Sequence, residues 1–334
     1  MTDIDNIAGL ERVIGKTPPP VNLKVIDHID ASARRWLAAS PLMFAGFGDG
    51  QGIAMTLGGG TSAFASGGDP AILSIPLDLL DNPALAARGA GFGSLFLIPG
   101  VGETLRINGR VADCDGGMLR IAVEECYGHC AKALIRSDFW SAVPLGEWPG
   151  DGGAFVNASR FMALATIDAG GGADLSPKGD PAGCMARMED DRMWFADRPG
   201  NRRADSFRNI IAQPRIAAAL LIPGSAEVVM MRGRARLTTD EAARLAFAVR
   251  DRTPLLATRV DDVEIEIGTS AALGRAQLWP AAAAPADIRP AKMFADHVRL
   301  NKDKGLAARL AGALVSVPGL MQRGLDKDYK DNLY

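Results

Sequence analysis

The sequence is poor in the residues from which most protein-based active sites are built. Histidine occurs only at His28, His129 and His297, and these positions lie far apart along the chain. There is no HExxH segment, which excludes the zinc site of metalloproteases, and few Ser–His–Asp groupings are available. If the protein is an enzyme, we expect its chemistry to come from a bound cofactor.

Cysteine is also scarce. The chain has four cysteines, at Cys114, Cys126, Cys130 and Cys184, and they crowd mostly into one stretch, which is a poor disulfide framework for a chain of 334 residues. We expect reduced thiols. Cys126 and Cys130 are one helical turn apart, which leaves two interpretations open. One is a zinc site, although standard spacing and a fourth ligand are missing; the other, which we favour, is small thiols packing a buried helix, with no metal.

Long apolar runs and a basic N-terminal segment are missing as well. The first residues, MTDIDNIAG, are acidic, and no apolar stretch approaches the length of a membrane span. The net charge is -2 and the pI about 6.0, so no overall positive field attracts nucleic acid or an anionic membrane. We expect a cytoplasmic protein without nucleic-acid or membrane partners, in which any anion site is local.

Two parts of the sequence resemble each other. The tetrapeptide LIPG occurs at residues 97–100 and 221–224, and each copy is followed at the same distance by Gly-Arg. Upstream, SPLMFA from Ser40 matches SRFMAL from Ser159; downstream, AKALIRSDFW from Ala131 matches SAALGRAQLW from Ser270. Collinear matches are hard to obtain by chance, so we interpret the chain as one β-rich unit duplicated in tandem.

The segments around these matches predict strands, because several alternate apolar and polar residues between Gly, Pro and Asp breaks. We predict a mainly β protein with helices, of the α+β class, consisting of two tandem barrels and a helical C-terminal tail. The predicted boundaries are a helical lead at 1–39, half one at 40–146, half two at 154–280 and the tail at 281–334.

Helices are predicted at three places outside the strands. One covers Val25–Ala39 in the lead. A second, over 238–252, begins with a capping-box pattern of Thr238 with Glu241. In the tail, KMFADHVRL and GLAARLAGALVSV are amphipathic at helical spacing, and we expect them to pack on the barrels or on a partner chain.

The densest polar signal is DRPGNRRADSFRN, residues 197–209, in which arginines surround a Pro-Gly turn. An apolar helix face follows, with Asn201 as the predicted N-cap, so Arg202 and Arg203 should lie in the first turn. Positive charge is unfavourable there unless an anion binds, and a phosphate would accept backbone N–H and guanidinium bonds together. The alternative is that the arginines form ordinary surface ion pairs with nearby carboxylates.

Longer strings resemble a known family. ATIDAGGGADLSPKGDPAG and MWFADRPGNRRADSFRNIIAQPRIAAALLIPG in half two are similar to the pyridoxamine 5′-phosphate oxidase-related, FMN-binding split-barrel proteins. In half one, LFLIPGVGETLRINGRV and EECYGHCAKALIRSDFW resemble the C-terminal portion of that family. The resemblance implies six-stranded split barrels with FMN between two of them, an arrangement that the family usually forms as a homodimer.

The resemblance also implies which residues contact FMN. In half two it implies that the FMN phosphate is held by Arg202 and Arg203, with Asn201 and Arg198. It places Ser176 and Lys178 on the neighbouring strand and turn. The residues of half one match the segment that a partner barrel supplies in dimers: Lys132, Arg136 and Trp140.

Each half departs from the family pattern in a different place. Residues 74–93 of half one contain no arginine cluster, and Ala271 of half two stands opposite Lys132, with nothing matching His129 or Cys130. We therefore expect a fused pseudo-dimer with one complete FMN site and one inactive site.

The expected function is that of an FMN-dependent oxidoreductase acting on a small molecule, with NADH or NADPH as candidate electron donor. Further homodimerisation is left open. The alternatives are a flavin or haem carrier or sensor without turnover, and a split barrel that scaffolds a partner.

Overall fold

The computed structural model describes residues 3–200, 203–301 and 319–334. Its strands are β1 (Asp3–Ile4), β2 (Leu42–Asp49), β3 (Gly52–Gly59), β4 (Ile72–Pro76), β5 (Gly91–Leu97), β6 (Thr104–Asp113), β7 (Met118–His129), β8 (Phe161–Ile167), β9 (Ala173–Gly179), β10 (Ala186–Glu189), β11 (Arg192–Ala196), β12 (Arg215–Leu221), β13 (Glu227–Thr238) and β14 (Ala257–Thr269). Its α-helices are α1 (Ile7–Ile14), α2 (Ala31–Ala39), α3 (Lys132–Arg136), α4 (Gly152–Ala158), α5 (Asp205–Ala212), α6 (Glu241–Leu245), α7 (Ala271–Ala276), α8 (Pro290–Leu300) and α9 (Leu320–Asp331).

The strands form two antiparallel sheets. Half one has the order β3-β2-β5-β6-β7-β4, and half two has the order β9-β8-β12-β13-β14-β11-β10, with β1 paired to β13. Through the first six strands the two orders correspond one to one along the chain. The predicted fold class is confirmed: the protein is mainly β with helices, and its two sheets are consistent with α+β split barrels.

Matching sequence segments occupy matching places in the two sheets. Gly100 and Gly224, which end the two LIPG segments, have φ values of 74° and 102°, a left-handed region that favours glycine. Gly109 of β6 and Gly233 of β13 both lie where the strand pairing shifts register. The two halves therefore repeat the same irregular features as well as the same strand order.

Three apolar cores hold the fold. One lies inside half one around Trp36 and Phe92, and another inside half two around Phe195. The third lies between the sheets, where the ring centroids of Phe44 and Phe161 are 5.7 Å apart. Both rings are fully buried, so the halves share one dry interface that brings β5 to β9 and β12 to β3.

A short helix from each half crosses to the edge strand of the other. α3 of half one approaches Gly179 of β9, and α7 of half two approaches Gly59 of β3. A Cβ at either glycine would come closer than 3.0 Å to a backbone carbonyl of the approaching helix. Arg136 Nε donates to the Gly179 carbonyl at 2.9 Å, and Arg275 Nε donates to the Gly59 carbonyl at 2.7 Å. Both crossings thus require a glycine on the edge strand, and in both an arginine of the helix donates a hydrogen bond to the carbonyl of that glycine.

Two predicted helices are shorter than the pattern indicated. The lead helix begins at Ala31 with Asp30 as its N-cap, because Ile26 is already paired with Cys126 of β7. The helix of half two is confined to α6 and is capped by Asp240. The prediction of Thr238 as its cap was wrong, since Thr238 is still paired within the sheet at the end of β13.

The cysteine spacing was also misinterpreted as helical. Cys126 is buried in strand β7, and the four cysteines are free thiols.

In the tail, α8 packs on half one through Met293, whereas GLAARLAGALVSV lies outside the described residues. None of the helices in the described ranges is long and apolar enough to cross a membrane.

A buried pair fastens α8 to the N-terminal lead and predicts how stability depends on pH. The Asp30 carboxylate accepts a bond from the Ala33 backbone at 2.7 Å and faces His297 Nε2 at 3.3 Å. Burial raises the pKa of Asp30, but the His297 and Ala33 hydrogen bonds outweigh it and lower the pKa from 3.8 to about 2. The ionised carboxylate therefore stabilises the fold above the unfolded-state pKa, and this contribution of about 2 kcal/mol is lost as pH falls from about 4 to 2.

Denaturant unfolding across this acidic range tests the pair. The free energy of unfolding should fall more steeply in the wild type than in Asp30→Asn, and the two curves should converge near pH 2. Parallel curves would show that Asp30 does not carry this pH dependence.

Candidate functional site

A cavity of about 580 Å³ lies where the two halves meet. Half one contributes β6, the end of β7 and α3. Half two contributes β9, the residues after β11 and the start of α5. α9 and the residues after it line the cavity as well. A volume of this size falls within the range of small-molecule sites, which often form at domain junctions.

The cavity brings together most of the residues predicted to contact a cofactor. Those that line it are Ser176, Lys178, Arg198 and Arg203 from half two, and Lys132 and Arg136 from half one. Asn201 and Arg202 lie outside the described residues. Trp140 does not line the cavity: its Nε1 donates to the Val101 carbonyl at 2.6 Å, and its ring packs edge-on against Phe139.

The helix after the arginine-rich loop begins later than predicted. Its N-cap is Ala204, which has a left-handed φ of 57°, so Arg203 precedes the helix instead of lying in its first turn. Asp205 takes that place, where the helix dipole favours a negative charge. Arg203 donates to the carboxylate of Asp205 and, at 2.8 Å, to that of Glu125. The ion-pair interpretation thus holds for Arg203, although its partners are partly buried and one comes from half one.

Arg106 of β6, which sequence reasoning missed, is the centre of the cavity wall and is only 1% exposed. Its guanidinium donates to Tyr127 Oη at 2.5 Å, to Asp174 Oδ1 at 2.7 Å and to Ser176 Oγ at 3.2 Å. The last two belong to half two, so a buried ion pair joins the halves. A signal for this was present, because Arg106 stands between Leu105 and Ile107 in a strand, where a buried charge needs a partner.

Arg106 and Arg203 are surrounded by further polar and acidic groups that do not themselves line the cavity. Asn108 donates to Glu125 at 3.0 Å and to Asp174 at 3.2 Å. The Arg203 guanidinium lies over the Tyr127 ring at 4.6 Å, and burial raises the pKa of the Tyr127 hydroxyl, which stays neutral. Because its arginines already face carboxylates, this wall is suited to polar, uncharged parts of a ligand.

Several buried polar atoms of the cavity residues lack a hydrogen-bond partner within the described residues. Among them are Arg106 Nε, His129 Nδ1 and Asp180 Oδ1. Burial lowers the pKa of His129 well below 6.5, and Arg106 and Lys24 lower it further. The imidazole is therefore neutral near pH 7. Unsatisfied buried polar groups of this kind are costly.

Lys178 differs from the other basic groups of the cavity. Its Nζ lies 4.5 Å from the centre of the Phe207 ring, and it forms no ion pair within the described ranges. Burial lowers the pKa of Lys178, and the Asp197 carboxyl opposes that change. Burial likewise raises the pKa of Asp197. The cavity thus holds an amine whose charged form is destabilised by burial and which is available to a ligand.

Other basic groups of the cavity already have partners. Arg198 donates to Asp180 at 2.6 Å and to the Phe247 carbonyl at 2.8 Å. Arg136 lies 3.7 Å from the same Asp180 carboxylate. Lys132 is paired with Asp328 of α9 at 2.8 Å. The first two are therefore fixed by the barrel, whereas Lys132 is paired with the tail.

A second cavity, of about 550 Å³, occupies the corresponding place on the other side of the interface. Its chemistry differs. Thr56 stands three residues before Gly59, as Ser176 does before Gly179, but Met230 stands before Gly233 where Arg106 stands before Gly109. The acidic residues that line this cavity are Asp81, Glu264 and Glu266. An anionic ligand is therefore disfavoured there.

Comparison with known proteins bears directly on the first cavity. Residues 153–279 match the family model described as pyridoxamine 5′-phosphate oxidase. This segment is similar to that family. It runs from α4 to the residues after α7 and contains Ser176, Lys178, Arg198 and Arg203. The resemblance found in the sequence is thereby confirmed. A search of curated proteins finds no match to the chain.

Several solved structures are similar to parts of the chain. HupZ of Group A Streptococcus is 21% identical, covers 40% of this chain and 95% of its own, and has a TM-score of 0.29. General Stress Protein 26 from Bacillus anthracis is 15% identical, covers 35% and 93%, and has a TM-score of 0.27. An F420 reductase is 13% identical, covers 36% and 98%, and has a TM-score of 0.28. At these TM-scores the similarity carries no argument about function.

Proposed function

We propose that the protein binds one FMN in the cavity between its halves and acts as an FMN-dependent oxidoreductase. The observation that carries the proposal is the meeting of Ser176 and Lys178 of the matched segment with Lys132 and Arg136 of half one around a single cavity. FMN has an anionic phosphate, a polyhydroxyl chain and a ring edge with hydrogen-bonding groups. Basic and polar side chains at opposite parts of one cavity suit such a molecule.

The unpartnered atoms of the wall support the fit. Arg106 Nε is a donor, and His129 Nδ1 belongs to a neutral imidazole that can donate or accept according to its tautomer. They suit the uncharged, hydrogen-bonding parts of a flavin better than its phosphate.

The chain's own residues would divide the work in the following way. Bound FMN would supply the electron transfer, since flavins exchange hydride equivalents with small molecules. Lys132 and Arg136 would hold an anionic group. Arg106 would keep the wall in place, and Lys178, whose pKa is lowered by burial, can hold or release a proton at Nζ inside the cavity.

We also infer that the chain is a fused pseudo-dimer with a single flavin site. The common strand order, the paired contacts at Gly59 and Gly179, and the equivalent arginines support an origin by duplication. The second cavity has Met230 at the position of Arg106 and is lined by carboxylates. A phosphate there would be repelled by three carboxylates and attracted by one guanidinium, that of Arg232.

Lys178 offers the cleanest test of flavin binding, because its amine forms no ion pair within the described residues and its loss should leave the fold intact. FMN titration monitored by flavin fluorescence should show binding at least tenfold weaker in Lys178→Ala, as is typical when a charged hydrogen bond is lost. The matched control is Arg232→Ala in the second cavity, which should bind FMN like the wild type. Equal affinity of Lys178→Ala and wild type would place the ligand elsewhere.

Turnover is tested separately from binding. In the absence of oxygen, NADH or NADPH should bleach the visible flavin absorbance of the holoprotein, and oxygen or an acceptor should restore it. A bound flavin that neither donor reduces would indicate the carrier or sensor instead of the enzyme.

A further inference from the structure

The segment of residues 319–334, which includes α9, lines part of the cavity and contacts the groups that the proposed function assigns to an anion. The Asp328 carboxylate lies 2.8 Å from Lys132 Nζ. The Leu333 carbonyl accepts a bond from the Arg136 guanidinium at 2.8 Å. A carboxylate and a carbonyl of this segment thus occupy donors of Lys132 and Arg136.

Two tyrosines fix the segment in this position. Tyr329 Oη donates to Glu103 at 2.9 Å and accepts from the Ala131 backbone at 3.3 Å, immediately before α3. The Tyr334 ring lies under the guanidinium groups of Arg198 and Arg250, at 5.6 Å and 5.4 Å. Cation–π contacts of this kind are favourable but weak, so the ring can be displaced without breaking the barrel.

Of the residues that the tail contacts, Lys132 depends on it most. Only 3% of Lys132 is exposed, and a buried ammonium without an anionic partner is strongly unfavourable. Within the described residues its ion pair is with Asp328 of the tail. Arg198 and Arg136, in contrast, keep Asp180 and the Gly179 carbonyl as partners when the tail is absent. Lys132 therefore needs either the tail carboxylate or another anion.

We propose that residues 319–334 are an internal competitor for the anionic end of the ligand, so that binding of the flavin phosphate and docking of the tail exclude each other at Lys132. The inference rests on the proposed function for the identity of the ligand. A phosphate dianion placed beside the Asp328 carboxylate would be repelled at short range, so the ligand takes the place of Asp328. Flavin affinity is thereby reduced by the free energy of tail docking.

Hydrogen–deuterium exchange of the full chain measures directly whether the tail is docked or released. Adding FMN should speed amide exchange within 320–333, because the segment is released. Slower exchange on FMN binding would overturn the proposal, since the tail would then be closing over the ligand. Inorganic phosphate provides a second arm, compared with chloride at equal ionic strength, and it should also speed exchange there.

A matched pair of variants measures the competition. Asp328→Asn removes the carboxylate that faces Lys132 and should tighten FMN binding by about three- to tenfold. Asp331→Asn removes an equal charge from an exposed position of the same helix and should leave the affinity unchanged. Unchanged or weaker binding in Asp328→Asn would contradict the proposal.

The two arms separate this inference from the proposed function. If no variant binds FMN but phosphate still releases the tail, the proposed function fails and the competition at Lys132 stands. If FMN binds with the expected dependence on Lys178 and neither ligand speeds exchange in 320–333, the site stands and the competition fails.

Discussion

Replacing Arg106 with methionine is expected to lower the free energy of unfolding by about 3–5 kcal/mol, as when one partner of a buried ion pair is removed. The change leaves Asp174, which is 6% exposed, as a buried carboxylate without its main partner. It also takes a hydrogen-bond donor from Tyr127 and from Ser176. Because Asp174 and Ser176 belong to half two, the loss falls on the contact between the halves. Equilibrium unfolding in urea measures the effect.

Two comparisons show whether burial and pairing cause this loss. Arg110→Met, on the same strand, removes a guanidinium whose side chain is 40% exposed and should cost no more than about 1 kcal/mol. The double variant Arg106→Met with Asp174→Asn should recover part of the stability, because the unpaired carboxylate is then gone. A loss in Arg106→Met no greater than that in Arg110→Met would mean that the ion pair does not join the halves.

Gly179→Ala is expected to cost about 3 kcal/mol, at the upper end for overpacking, and to weaken FMN binding as well. The new Cβ would meet the backbone carbonyl of Ala133, which cannot swing aside as a side chain can. α3 must then move, and with it Lys132 and Arg136. Urea unfolding and FMN titration of the same variant measure the two effects.

Two other glycines provide controls for this substitution. Gly59→Ala meets the Ala272 carbonyl in the equivalent crossing and should destabilise the fold while leaving FMN affinity unchanged, since that crossing borders the second cavity. Gly268→Ala, in β14, meets nothing within 4 Å and should change neither quantity much. If Gly179→Ala behaves like Gly268→Ala, α3 is not held against β9 in the way described.

Local patterns account for most of what the sequence predicted correctly. Alternation between apolar and polar residues, bounded by Gly and Pro, identified the strands around the LIPG segments. This worked because successive side chains of a strand point to opposite faces, so a few neighbouring residues are enough to show the pattern. The ends of helices were harder to predict from the sequence. α5 begins at Asp205 because Ala204 adopts a left-handed conformation, and no residue preference indicated this for alanine. Thr238 was taken for a cap because sheet pairing at that position depends on a distant strand.

In the candidate site, too, local patterns were predicted and contacts between distant residues were missed. The family strings led to Ser176, Lys178, Arg198 and Arg203, which do line one cavity. Arg106 was missed because its partner Asp174 is distant in sequence and meets it only through the packing of one half on the other. The occupation of Lys132 by Asp328 likewise depends on where the tail folds. The duplication and the domain boundaries stay predictions.

The ratio of flavin to polypeptide in the purified holoprotein tests the central claim most directly. It is obtained from the flavin absorbance after release by denaturation and from an independent protein determination. One flavin per chain is expected, because Lys178, Lys132 and Arg136 offer cations to a phosphate in the first cavity, whereas in the second cavity the carboxylates of Asp81, Glu264 and Glu266 outnumber its single basic lining residue, Arg232. A ratio near two would contradict the single composite site, and a protein that retains no FMN and binds none on titration would contradict the proposed cofactor.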